Sequence, residues 1–158
     1  MFKQYNDRML QDYIKEKGVD AEILYFKEHT MTVEAAAENL KVSKDRIIKS
    51  ILVLNEKNEP FLIILNGDRK ISFKKVANVT GSEYIRLAKA REVKEILGYE
   101  IGSVPPIFHK NSVRTFVDER VLGYDYVIGG GGSTHSLLKI RPIDIVKLTN
   151  ASVFDISE

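Results

Sequence analysis

The chain has 158 residues, no cysteine, and 24 Lys and Arg against 22 Asp and Glu, a net charge of +2. That length makes one domain spanning residues 1–158, with a core that needs no metal or disulfide staple. The missing thiols exclude cysteine nucleophiles, thiolate zinc sites and disulfides, and so small a net charge excludes a nucleic-acid binder that works by bulk electrostatics.

Phe2, Tyr5, Met9, Leu10, Tyr13 and Ile14 recur at helical spacing, and Gly18 is placed to end that helix. The same stretch is polar throughout and lacks the apolar core of a secretory signal, and no apolar run approaches the roughly 20 residues of a membrane span. A cytoplasmic protein with no membrane partner is expected. "AEILYFK" reads as a strand, and "HTMTVEAAAENL" as a helix with Thr32 as N-cap and Glu34 in its first turn. Ser43 stands where a cap would open the short helix "KDRII". "KSILVLN" and "EPFLIILN", joined by the polar turn "EKNE", form a hairpin.

Asn66-Gly67-Asp68 is a turn, Ser72 caps the helix "FKKVANV", and "SEYIRLA" is a short extended piece before the helix "KAREVKEIL". "SVRTFVD", "YDYVIGG", "HSLLKI" and "SVFDI" supply further strands, and Pro142 suits the first turn of the helix "RPIDIVKLT". Helices and hairpins alternate without regular βαβ units. The expected fold is α+β: a mixed, mostly antiparallel curved sheet flanked by helices.

Two loops and one lysine stand out. In "GYEIGSVPPI", Pro105 and Pro106 lack N–H groups and have fixed φ, while Gly102 has access to positive φ, so the loop is stiff and free of side chains at its crown. It either turns a corner or presents backbone amides to a ligand's oxygen atoms. In "VIGGGGSTHS", four successive glycines lose backbone entropy without packing in return, which suits close approach of another chain or ligand, or else a mobile hairpin loop. This run lacks the Lys-Ser/Thr of a phosphate-binding loop. Lys49 adjoins a strand that reads as buried, where a lysine either snorkels past the strand end or holds a fixed charge for phosphate or carboxylate. The three histidines, His29, His109 and His135, have no metal-ligand spacing, and no Gly-x-Ser-x-Gly elbow is present, so neither a metal, a cofactor nor an activated serine is expected.

From Thr30 onward the ordered segments "TVEAAAENLKVSKDRIIKSILVL", "LNGDRKISFKKVA", "AREVKEILGYEIGSVPP", "VRTFVDERVL" and "VIGGGGSTHSLLKI" together resemble the YbaK/EbsC family of stand-alone aminoacyl-tRNA deacylases, related to the editing domain of bacterial prolyl-tRNA synthetase. The resemblance implies a trans-editing hydrolase that clears mischarged aminoacyl-tRNA carrying a small amino acid. Its activity-bearing lysine falls on Lys49 and its Gly-x-x-x-Pro loop on Gly102 to Pro106. That loop would then hold the ester carbonyl and the attacking water, with Lys49 and Gly102 catalytic and substrate contacts from Thr30, Ser50, Ser103, Val104, Pro105, Pro106, Gly130, Gly131 and His135. Implied partners are the acceptor end of tRNA, met by lysines such as Lys70, Lys74, Lys75 and Lys139, and an aminoacyl-tRNA synthetase. The chain departs from the family at Gly102-Ser103, where Gly-Gly is frequent, and at Ile107-Phe108, where Phe-Gly is frequent. The alternative functions are a module that binds aminoacyl-tRNA or a nucleotide-like ligand without hydrolysis, and an interaction domain with flexible glycine loops.

Overall fold

The hairpin of β2 (Ile48–Asn55) and β3 (Pro60–Asn66) is the spine of the molecule, which is described here for residues 4–158 of a computed structural model. Asn55 closes its turn: the side-chain oxygen accepts the N–H groups of Lys57 at 3.0 Å and Glu59 at 2.9 Å. β3 is apolar on consecutive residues because both of its faces are covered, Leu62 and Ile64 on one side and Phe61, Ile63 and Leu65 on the other. Around this pair runs a five-stranded sheet in the order β4-β2-β3-β5-β8, with β4 (Ile85–Leu87), β5 (Arg114–Asp118) and β8 (Ser152–Phe154). The β2–β3 and β2–β4 pairs are antiparallel, whereas β3–β5 and β5–β8 are parallel.

A second, antiparallel sheet joins β1 (Ala21–Tyr25), β7 (Ser136–Ile140) and β6 (Val127–Gly130) in the order β1-β7-β6. The strands expected from the sequence are thus present in a mixed arrangement, but divided between two sheets. A single parallel bridge, Ile47 to Ile128, links them.

Among the described residues, five helices cover the sheets. α1 (Asp7–Lys17) sends Leu10 and Ile14, α4 (Ala90–Leu97) sends Val93 and Leu97, and α5 (Pro142–Thr149) sends Ile145 into the main core against Leu52, Leu62, Ile64 and Val117. α3 (Phe73–Thr80) covers the opposite face through Val76. α2 (Val33–Leu40) lays Ala36 and Ala37 on Ile47, Ile128 and Leu137. Caps fall where the sequence places them: Thr32 accepts the Ala35 N–H at 3.0 Å and Ser72 the Lys75 N–H at 3.1 Å, each worth about 1 kcal/mol, and Gly18 ends α1 at φ +63°. Ser43 occupies the N-cap position of the 3-10 turn Lys44–Arg46, yet makes no side-chain cap bond. Phe2, assigned above to the first helix, lies outside the described residues. No helix among the described residues is long and apolar enough to cross a membrane.

Candidate functional site

β3 accompanies β2 along one edge, but the other edge has two short neighbours, β6 at its start and β4 from Val53 onward. Among the described residues, the interval around Lys49 to Ile51 has no strand beside it on that edge. Because the Ala88 N–H donates to the Leu52 carbonyl at 3.0 Å, strand alternation turns the Ser50 peptide groups toward the same gap. A cavity of about 250 Å³ opens there. Val33, Ala36, Ile48, Leu52, Val93 and Val104 wall it, Gly129 and Gly130 complete it, and Met31, Leu87 and Ile101 rim its mouth. The rim side chains are 43%, 55% and 51% exposed, so the entrance is open and apolar.

Lys49 is the second residue of β2, inside the strand rather than before it. It is half-buried, and its ammonium donates to the Arg69 carbonyl, which leaves two of its three N–H bonds for a ligand. Burial pushes its pKa down, while the nearby Asp68 and Glu34 carboxylates oppose that shift and Lys70 adds to it. Ser50, next in the strand, lines the cavity wall, with its hydroxyl oxygen buried and unbonded.

The loop after α4 has only part of the expected form. Gly102 takes φ +88° and is exposed, but residues 103–107 are buried, so the prolines form an inner layer and not a crown. The Ser103 hydroxyl and N–H both donate to the Glu100 carbonyl, at 2.8 and 3.1 Å, and its own carbonyl accepts the Gly132 N–H at 3.0 Å. The Pro105 carbonyl is bonded to Nε2 of His109 at 2.7 Å. Burial pushes the His109 pKa down to about 4, against the opposing effect of that bond, so the ring is neutral and donates. Among the described residues, nothing accepts the N–H of Gly102 or of Val104.

The glycine run is packed closely against backbone. A Cβ on Gly130 would stand 2.3 Å from the Val104 carbonyl oxygen, one on Gly131 would stand 2.6 Å from the Ser136–Leu137 backbone, and one on Gly132 would stand 2.8 Å from the Asp7 nitrogen. The close approach inferred from sequence is made by other segments of the same chain: the Gly102 loop, β7 and the start of α1.

Of the residues assigned by sequence, the structure gathers Thr30, Lys49, Ser50, Gly102, Val104 and Gly130 around the cavity. Ser103, Pro105, Pro106 and Gly131 lie behind its wall, and His135 is exposed, its Nδ1 bonded to the Thr134 hydroxyl at 2.8 Å. The Thr30 hydroxyl donates to the Thr134 and Ser136 carbonyls, tying its segment to the glycine loop. Lys70 and Lys74 are exposed, whereas Lys75 is paired with Asp155 at 2.9 Å and Lys139 stands over the Tyr126 ring at 4.4 Å. No group of three or more His, Asp or Glu side chains suited to a metal is gathered among the described residues. Sequence reasoning missed the rim of Met31, Leu87 and Ile101, and also the Arg69 carbonyl. A backbone acceptor leaves no signature in residue identity.

The cavity thus combines apolar walls with one lysine and two uncommitted amides among its lining residues. Residues 27–148 match the aminoacyl-tRNA editing domain. The chain belongs to the aminoacyl-tRNA editing domain family. It is 25% identical over 132 residues, covering 84% of this chain and 80% of the relative, to EbsC of Enterococcus faecalis, a proposed Cys-tRNA(Pro)/Cys-tRNA(Cys) deacylase by its name. It is 36% identical over 103 residues to a proline–tRNA ligase of Lactobacillus gasseri, covering 65% of this chain and 18% of the ligase. A crystal structure of a proposed trans-editing enzyme for prolyl-tRNA synthetase superposes with a TM-score of 0.88 at 29% identity, covering 96% of each chain.

Proposed function

We propose that the protein deacylates mischarged aminoacyl-tRNA in trans, with the aminoacyl group in the cavity and the acceptor end of the tRNA across its mouth. The observation that carries this reading is the meeting, in one cavity wall, of the half-buried Lys49 with a loop whose Gly102 and Val104 amides are uncommitted. An aminoacyl ester is already activated, so its hydrolysis asks for an oriented water and donors aimed at the developing oxyanion. One such donor is worth about 3–4 kcal/mol. The Gly102 and Val104 amides supply these donors, and Lys49 supplies a point charge for the terminal phosphate or the ester end. Aliphatic walls and the modest volume suit a small amino acid. None of these steps uses a metal, and hydrolysis is expected to survive exhaustive chelation.

The test is a panel of tRNAs carrying radiolabelled non-cognate amino acids, Cys-tRNA(Pro) and Ala-tRNA(Pro) among them, with release of the free amino acid as readout. Tight binding of the panel without release would sink the hydrolase in favour of a binding module. Loss of hydrolysis on chelation, restored by zinc, would overturn the metal-free reading.

A further inference from the structure

The Lys49 ammonium is held by the carbonyl of Arg69, so whatever fixes Arg69 fixes the lysine. Lysine carries a flexible four-carbon stem, and one hydrogen bond to a loop carbonyl orders it only if the loop is itself held. Residues 69–72 are held along their length by residues 156–158. The Ser72 N–H donates to the Ile156 carbonyl and the Glu158 N–H to the Lys70 carbonyl, both at 2.9 Å, around the antiparallel bridge of Ile71 to Ser157.

Side chains lock this ribbon. Arg69 donates through Nε to the Ser157 hydroxyl at 2.6 Å and through its guanidinium to the main-chain oxygen of Glu158. Arg120 reaches the same hydroxyl at 3.2 Å and pairs with Asp155 at 2.9 Å and Asp118 at 3.1 Å. Lys75 donates to Asp155 and to the Ser157 carbonyl. Asp118, wholly buried, accepts the Ile156 N–H at 3.0 Å. Ile156 and Ser157 are themselves wholly buried.

We infer that residues 155–158 are a positioning device for Lys49: by clamping residues 69–72 they fix the Arg69 carbonyl and aim the ammonium at the cavity. The inference rests on the reading of Lys49 given under the proposed function. Ser157 and Arg69 are its positioning residues, acting through Lys49 rather than on the substrate.

Two variants test it. Ser157→Ala removes the hydroxyl shared by Arg69 and Arg120. Arg69→Met removes the guanidinium but keeps the carbonyl, and because this side chain is only partly buried it preserves the test should Ser157→Ala fail to fold. Lysine labelled with 13C at Cε reports on Lys49 directly, its signal assigned by Lys49→Arg. In the parent protein this signal is expected to be broadened by restricted motion and to titrate below those of the exposed lysines, with Asp68, Glu34 and Lys70 as its charged neighbours. In both variants it should narrow and titrate with the exposed lysines. Single-turnover hydrolysis of Cys-tRNA(Pro), or of whichever panel member is cleaved, should fall at least ~10-fold with tRNA Kd within about twofold, as misplacement of a catalytic group does. A Lys49 signal unchanged in a folded variant overturns the inference, as does a freed Lys49 with undiminished hydrolysis. Lys49→Ala, measured alongside, separates the two failures: full activity there removes the role of Lys49 itself, while the NMR result still says whether the ribbon holds the side chain.

Discussion

The two glycine-bearing loops of the site meet within a few ångströms, yet their glycines answer to different forces. Gly102 is exposed, at φ +88°, and a Cβ there would meet Met31, its Cε at 3.2 Å, its Cβ at 3.4 Å and its carbonyl oxygen at 3.6 Å. Gly130 and Gly131 have ordinary φ but face backbone at 2.3 and 2.6 Å, where no side chain fits. The first is a conformational requirement beside an open cavity, the second a packing requirement. Substitution in the first loop should therefore be felt in turnover, and in the second in stability.

The largest expected effect is on the first side. Gly102→Val places a branched side chain where the ester carbonyl is proposed to sit, and turnover should fall by about 1,000-fold, in line with loss of an oxyanion donor. Positive φ costs an L-residue roughly 1–2 kcal/mol, so melting should fall by only a few degrees. Lys49→Ala should match it in turnover with still less loss of stability. Parallel losses of rate and fold in either variant would erase the distinction between the loops.

Next comes the packing glycine. Gly130→Ala drives a methyl group into the Val104 carbonyl, with backbone on both sides of the clash. The expected cost is about 3 kcal/mol, or a fall in Tm of roughly 6–12 °C. A variant that melts with the parent and loses only activity would make Gly130 a substrate contact.

Replacing Pro105 and Pro106 together with alanine probes the link between the loops, because Pro106 Cδ rests where a Gly129 Cβ would come within 3.1 Å. The amides remain but lose their rigid support, and a displacement of about 1 Å costs roughly 100-fold in rate. Binding of the tRNA should weaken far less, since an oxyanion contact strengthens in the transition state. Equal losses of affinity and rate, from filter binding and single-turnover hydrolysis, would make the loop a docking surface.

Most elements of the fold were legible in the sequence, and the reason is local: Thr32, Ser72 and Gly18 mark helix ends by chemistry that acts within one turn, and "PFLIILN" announces a strand covered on both faces. The division into two sheets was not legible, because it depends on the parallel β3–β5 and β5–β8 pairings and the lone Ile47 to Ile128 bridge, all of long sequence separation. At the site, Lys49 and Gly102 were visible as a charge beside an apolar strand and a glycine before prolines. Their supports were not, since the Arg69 carbonyl belongs to backbone and His109 looks like any histidine until burial is known. The glycine run was ambiguous for the same reason: four glycines declare that something comes close without saying that it is Val104 and Asp7.

His109 gives the smallest effect and a separate handle on the first loop. Its folded pKa of about 4 lies below the unfolded value of about 6.5, so between these values the unfolded chain binds the proton that the native ring excludes. Stability supplied by the neutral ring is fully present above pH 6.5 and is lost as pH falls toward 4, by about 3 kcal/mol. Asp155, held at about 2 by Lys75 and Arg120, and Glu92, held at about 2 by Arg86, lose their contributions as pH falls from the ordinary carboxylate range toward 2, so the two windows meet only at the acid end of the His109 transition. His109→Gln retains a donor for the Pro105 carbonyl and removes the titration. Thermal melts at half-unit steps from pH 7 to pH 4.5 should show the parent falling by several degrees more than the variant. Superimposable profiles would mean that protonated His109 is accommodated without cost, and that the Pro105 carbonyl is not held by a neutral ring.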